Sequence, residues 1–133
     1  MNLLNKTDSI KIVDKVDDMK VFYNEHKLFC LTSIDEGFGM VVSEALSCGL
    51  PVIISENVGS KDIFENYKKS NPNIYRIVKT RNVNEIKEAI SYYHEIFIDK
   101  KYEELNSKRN KFMRKNFSNE ETLYEKRINQ LYE

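Results

Sequence analysis

Tryptophan is absent from the 133 residues, cysteine, histidine and proline occur twice each, and glycine occurs four times. Two cysteines, Cys30 and Cys48, are too few for the disulfide framework of a small secreted domain; both sit among apolar neighbours and read as buried free thiols. His26 and His94 are far apart, with no cysteine or paired carboxylate at ligand spacing, so no metal site is expected. No Cys/His or Ser/His spacing argues for a nucleophile. An excess of either charge is also missing, since 21 Lys and Arg face 21 Asp and Glu for a net charge of zero. Without a long-range field, nucleic acid and anionic membrane are not expected partners. No apolar run approaches the roughly 20 residues of a bilayer span, and the start lacks the basic flank and apolar core of a signal peptide. The expectation is therefore a cytoplasmic chain with no integral membrane segment. Internal repeats and low-complexity tracts do not stand out, and the length fits a single domain over 1–133.

Because glycine is scarce, its placement is informative. Two of the four flank one aromatic in Asp35-Glu36-Gly37-Phe38-Gly39-Met40-Val41-Val42-Ser43-Glu44-Ala45. Before this stretch, Leu28-Phe29-Cys30-Leu31 is short and apolar; after it, Pro51-Val52-Ile53-Ile54 is rich in β-branched residues, and both read as strands. Between them the pattern predicts a loop and then a helix. The glycines let the backbone take positive φ and let a ligand reach amide groups without meeting Cβ atoms. With Gly39 as N-cap, the free N–H groups of the first turn and the positive end of the helix dipole face the loop, which suits an anion. Glu36 stands before the turn and Glu44 more than one turn inside the helix. Carboxylates only accept hydrogen bonds, so the two would flank a phosphate-sized space and suit a ligand with an anionic middle and hydroxyl-rich ends. A nucleotide diphosphate sugar has that layout.

On the helical wheel Val41, Val42, Ala45, Leu46 and Cys48 cover most of the circumference and leave a narrow polar stripe of Ser43, Glu44 and Ser47. A carboxylate on such a covered helix needs a hydrogen-bond donor, and a ligand's vicinal diol would supply one. The alternative is an acid on a solvated strip. A lone glutamate in a Gly-rich loop, as Glu36 is, is more often simply exposed.

Elsewhere, Ile10-Lys11-Ile12-Val13 alternates like a short strand, and 16–26 reads as a helix with Val16, Met19, Phe22 and Tyr23 on one side and Asp17 and Asp18 in its first turn. Gly49 is the expected residue just past the Glu44 helix, with Pro51 barring its continuation. Ser60 is placed to cap a short helix over 62–66, and 74–78 reads as the next strand. Ile86, Ile90, Tyr93 and Phe97 repeat at helical spacing behind a capping-box-like Asn82 and Glu85. Further helices are expected over 101–115 and from Ser118 onward. Strands alternating with helices indicate a parallel sheet covered on both sides, with ligands at the carboxyl ends of the strands.

The run from Glu36 to Met40, the seven residues between Glu36 and Glu44, and Ser43-Glu44-Ala45-Leu46-Ser47-Cys48-Gly49-Leu50-Pro51-Val52-Ile53 together resemble the donor-site signature of glycosyltransferase family 4. These are two-domain, GT-B-type retaining transferases. The resemblance implies that Glu36 is the catalytic-site acid that holds hydroxyls of the donor sugar. It implies that the backbone of Gly37, Phe38, Gly39, Met40 and Val41 meets the sugar and diphosphate, and that Glu44 binds the ribose diol. It further implies a nucleotide diphosphate sugar as donor substrate, with no bound metal and no other cofactor. Residues 10–18 resemble the segment before the family's surface helix and 117–133 its terminal helix.

Against that family pattern, the acceptor-binding domain and the first two strands of the donor domain are missing, along with the basic pair that would neutralise the diphosphate. The fold class expected is therefore α/β: a partial Rossmann-like parallel sheet flanked by helices, an incomplete GT-B C-terminal domain. The 10–13 strand, deprived of neighbours, is expected to pair with the 28–32 strand or to join a second subunit as a homo-oligomer, unless a companion chain supplies the absent strands. The leading function is nucleotide-sugar binding for transfer of a sugar to a hydroxyl acceptor, with the isolated chain inactive. The rival is a noncatalytic interaction module that needs a partner chain. An unrelated dinucleotide-binding domain fits poorly, since the glycines do not follow Gly-x-Gly-x-x-Gly.

Overall fold

A computed structural model describes residues 10–61, 73 and 75–98. Three parallel strands form one sheet in the order β1-β2-β3: β1 is Phe29–Leu31, β2 is Val52–Ser55 and β3 is Tyr75–Val78. The register aligns Phe29 with Val52 and Tyr75, Cys30 with Ile53 and Arg76, and Leu31 with Ile54 and Ile77. Every residue of β2 is buried, as a central parallel strand requires, and this explains its unbroken Val-Ile-Ile run.

Side chains alternate across the sheet, so each face builds its own core. On one face Val52, Ile54 and Tyr75 pack with Val42, Ala45 and Leu46 of helix α2, Met40–Ser47, and with Tyr23 of helix α1, Met19–Asn24. On the other, Ile53 and Val78 pack with Ala89 and Tyr93 of helix α3, Val83–Ile98. The protein is thus a small α/β unit whose three-stranded parallel sheet carries helices on both faces, as the Rossmann-like expectation had it. Burying a side chain such as Ile53 or Leu46 contributes roughly 1.5–3 kcal/mol, so these two clusters fix α2 and α3 against the strands.

The helix ends are specified locally. Asp18 is the N-cap of α1, its side chain accepting from the Val21 N–H at 3.0 Å. The helix therefore starts three residues later than hydrophobic spacing alone suggests, because the cap residue sits outside it. α2 ends as Gly49 takes φ 84°. The Leu50 N–H then donates to the Ala45 carbonyl at 3.0 Å and the Gly49 N–H to that of Leu46 at 2.9 Å, a Schellman closure that satisfies two terminal carbonyls. At α3, Asn82 Oδ1 accepts from the Glu85 N–H, while the Glu85 carboxylate accepts from Asn82 Nδ2 and the Lys79 N–H.

Three expectations need correction. Residues 10–13 form no strand: Ile10 and Ile12 are 66% and 87% exposed, and among the described residues no strand pairs with them. Alternation gives a segment its period but not a partner, and an extended segment without a ladder has nothing to bury or bond against. Cys30 is exposed and Cys48 half-buried, because Cys30 lies on the edge strand, on the face where α3 covers Ile53 and Val78. Ile90 is exposed, its place in the core taken by Ala89 one position earlier. The Ser60 hydroxyl is buried without a hydrogen-bond partner among the described residues; the helix it is expected to cap over 62–66, and those expected over 101–115 and from 118, lie outside the described residues.

Candidate functional site

The loop after β1 is tied along its length to the chain leaving β2. Ser55 Oγ donates to the Ser33 carbonyl at 2.5 Å and Asn57 Nδ2 to the Ile34 carbonyl at 2.7 Å. Glu36 and Val58 form a parallel bridge, after which the Gly59 N–H donates to the Gly37 carbonyl at 2.7 Å and the Ser60 N–H to the Phe38 carbonyl at 3.1 Å. These bonds fix the backbone of 33–38 at the carboxyl ends of the first two strands, where open α/β sheets place their ligands.

Within this frame the two glycines serve different purposes. An added Cβ at Gly37 would meet nothing within 4 Å, so the chain is open there to an incoming molecule. Gly39 is buried and takes φ 72°, ψ 58° as the N-cap of α2. A Cβ on it would lie 2.9 Å from Val58 Cγ1 and 3.3 Å from Leu31 Cδ2. Only glycine combines that left-handed turn with that close packing. The helix accordingly begins at Met40, and helix geometry leaves the first N–H groups without intrahelical acceptors on the loop side.

Glu36 is half-buried, Gly37 exposed, Phe38, Met40 and Val41 half-buried, and Gly39 buried. Glu36 through Val41 thus run without a break from the loop into the first helical turn. Glu44 sits four residues beyond Met40, about 6 Å further along the helix axis. Its surroundings show what periodicity could not. Tyr23, on α1, donates its hydroxyl to Glu44 Oε2 at 3.1 Å. The Tyr23 ring is 2% exposed and lies edge-on to Phe29 with centroids 5.8 Å apart. Burial, the hydrogen bond to Glu44 and the charge of that carboxylate push the Tyr23 hydroxyl up to about 12, so at neutral pH it is a donor.

Cys48, one turn past Glu44, has its thiol pushed up chiefly by burial, with Lys20 pulling it down and Glu44 adding to the rise. Sequence reasoning had Tyr23 on the core side of α1 without a partner. Its separation of 21 residues from Glu44 follows no local spacing, so only the packing of α1 on α2 brings the pair together. Among the described residues no group of three or more His, Cys, Asp or Glu is arranged to hold a metal, and no helix is long and apolar enough to cross a membrane.

The sequence model described as "Glycosyl transferases group 1" matches residues 2–116. A protein of Haemophilus influenzae named as an uncharacterized glycosyltransferase is 34% identical over 50 residues, which is 38% of this chain and 14% of that protein. No solved structure matches the chain. With the match covering most of its length, the chain belongs to the group 1 glycosyl transferases.

Proposed function

We propose that the chain is the nucleotide-sugar-binding portion of a retaining, GT-B-type transferase of glycosyltransferase family 4, acting from the cytoplasm on a hydroxyl acceptor. Glu36 holds hydroxyls of the donor sugar. The amides of the Gly37 to Val41 segment meet the sugar and diphosphate, and Glu44 binds the ribose diol. In the reaction the bond between the anomeric carbon and the diphosphate oxygen breaks, the acceptor oxygen bonds that carbon, and the acceptor's proton passes to the departing diphosphate. Oriented amides at the start of α2 would stabilise the departing diphosphate, and fixed placement of the donor would supply much of the rest.

The observation that carries this reading is the open Gly37 backbone directly before a helix that starts at a left-handed glycine, with a tyrosine-anchored carboxylate inside that helix. The test is calorimetric titration of the full chain with nucleoside diphosphates. Binding that is abolished by Glu44→Ala is the expected result; unchanged affinity in that variant overturns the assignment.

A second reading has its own observation. Ile10 and Ile12 are exposed, and β1 pairs on one side only among the described residues. An edge unpaired among the described residues, together with exposed apolar side chains elsewhere on the chain, suits a homo-oligomer or a companion chain that adds strands, as in a noncatalytic interaction module. A monomer by light scattering that also gains thermal stability with a nucleoside diphosphate rules that reading out.

A further inference from the structure

Glu44 is held by a residue from another element, and the manner of holding has consequences for what it can bind. The Tyr23 ring is held in the core it shares with residues of α2 and the strands by burial and by its edge-on contact with Phe29. Its oxygen is therefore fixed relative to the sheet, and the 3.1 Å bond to Oε2 fixes the Glu44 carboxylate in turn. An unrestrained glutamate samples several rotamers about three side-chain bonds and would give up that freedom on meeting a ligand. The other polar groups of the stripe do not compete for the acid: Ser47 Oγ donates to the Ser43 carbonyl at 2.8 Å. An ionised carboxylate offers about four lone-pair sites, and the tyrosine uses one. What remains suffices for two adjacent hydroxyl donors.

Resting on the donor-site assignment of Glu44, we infer that Tyr23 is its positioning residue: the hydroxyl pins one carboxylate oxygen so that the rest of the carboxylate accepts both hydroxyls of a ribose. This makes Tyr23 a determinant of preference for ribonucleoside over 2′-deoxyribonucleoside diphosphates. A tyrosine that only filled the core would leave that preference untouched when its oxygen is removed, because Tyr23→Phe keeps the ring and its packing.

The experiment titrates the full chain with ADP, GDP and UDP, and then with the 2′-deoxy counterpart of whichever binds most tightly. The proteins are the wild type, Tyr23→Phe, Glu44→Gln and Glu44→Asp, each checked by circular dichroism and denaturation. The wild type is expected to favour the ribonucleotide about ten-fold, the worth of one hydrogen bond to a charged group. In Tyr23→Phe the ribonucleotide affinity falls by about that factor while the deoxynucleotide affinity changes by less than about two-fold, so the ratio collapses. Glu44→Asp draws the carboxylate one methylene back from the tyrosine and is expected to lose the ratio in the same way, which keeps the test open if Tyr23→Phe fails to fold.

A wild-type chain that binds without ribose preference overturns the inference. So does a Tyr23→Phe or Glu44→Asp protein that keeps the full ratio while Glu44→Gln loses it, and in that case the donor-site assignment stands. A wild-type chain that binds none of the nucleotides overturns both.

Discussion

Gly39 and Val58 are in contact, so that a Cβ on the glycine would come within 2.9 Å of the valine's Cγ1. Through this contact the residue at which α2 begins rests on the residue that bridges Glu36. Valine is stiff about its one side-chain torsion and Val58 is fully buried, so it has little room to yield. Gly39→Ala is expected to destabilise the fold by about 3 kcal/mol, from the left-handed backbone and from overpacking together. In a double-mutant cycle with Val58→Ala the steric part is recovered and the backbone part is not. Additive losses by denaturant unfolding would show that the two residues do not press on one another.

Tyr23 gives the fold an alkaline limit. Its hydroxyl is raised from 10 to about 12 in the folded state, so between those values the folded chain keeps a proton that the unfolded chain has lost. The stabilisation is complete below pH 10 and is lost as pH rises toward 12, a change on the order of 2 kcal/mol. Denaturation curves across this range should fall more steeply with pH in the wild type than in Tyr23→Phe, the difference being the Tyr23 contribution. The difference in phenolate absorbance between the two proteins should titrate late.

Asn82 and Glu85 close the start of α3 on each other and on Lys79. Asn82→Ala removes an acceptor for the Glu85 N–H and should lower stability by about 1 kcal/mol. Asn82→Ser retains an acceptor and should recover most of it. Equal losses in the two variants would show that the cap is not what anchors this helix.

Ile12 is exposed and outside the sheet. Ile12→Lys should therefore change the unfolding free energy by less than about 0.5 kcal/mol. If the segment instead joins a second subunit, the same substitution shifts the molecular mass measured by light scattering, which separates the two states of affairs directly.

A nucleoside diphosphate that binds only the folded chain must raise its melting temperature. At a concentration 100 times its dissociation constant the gain is about 2.7 kcal/mol. Glu44→Ala should abolish the shift; a variant that melts at its own ordinary temperature and still shifts as the wild type does would remove Glu44 from the site.

The loop and the helix behind it were legible because local chemistry dictates them. Gly39 suits a left-handed entry as N-cap, and Gly49 with Pro51 behind it marks the exit, so the bounds of α2 follow from the sequence. β2 was legible for a similar reason, as an unbroken β-branched run suits a strand covered on both faces. What stayed hidden depended on contacts between distant segments. The Tyr23 hydroxyl reaches Glu44 only because α1 lies on α2, and nothing in the spacing of either helix encodes that. The same holds for residues 10–13, where alternation was read correctly as a pattern and wrongly as a strand, and for Cys30, whose apolar neighbours in sequence are not its neighbours in space. Asp18 shows the smaller error: hydrophobic spacing carried the helix past its own cap.

The bonds that run from Ser55 to Ser60 back onto 33–38 mean that this loop is braced by the chain leaving β2, independently of any ligand. On the proposed donor-site reading, little of a ligand's intrinsic affinity would be spent on ordering that loop, so the saving would appear as tighter binding.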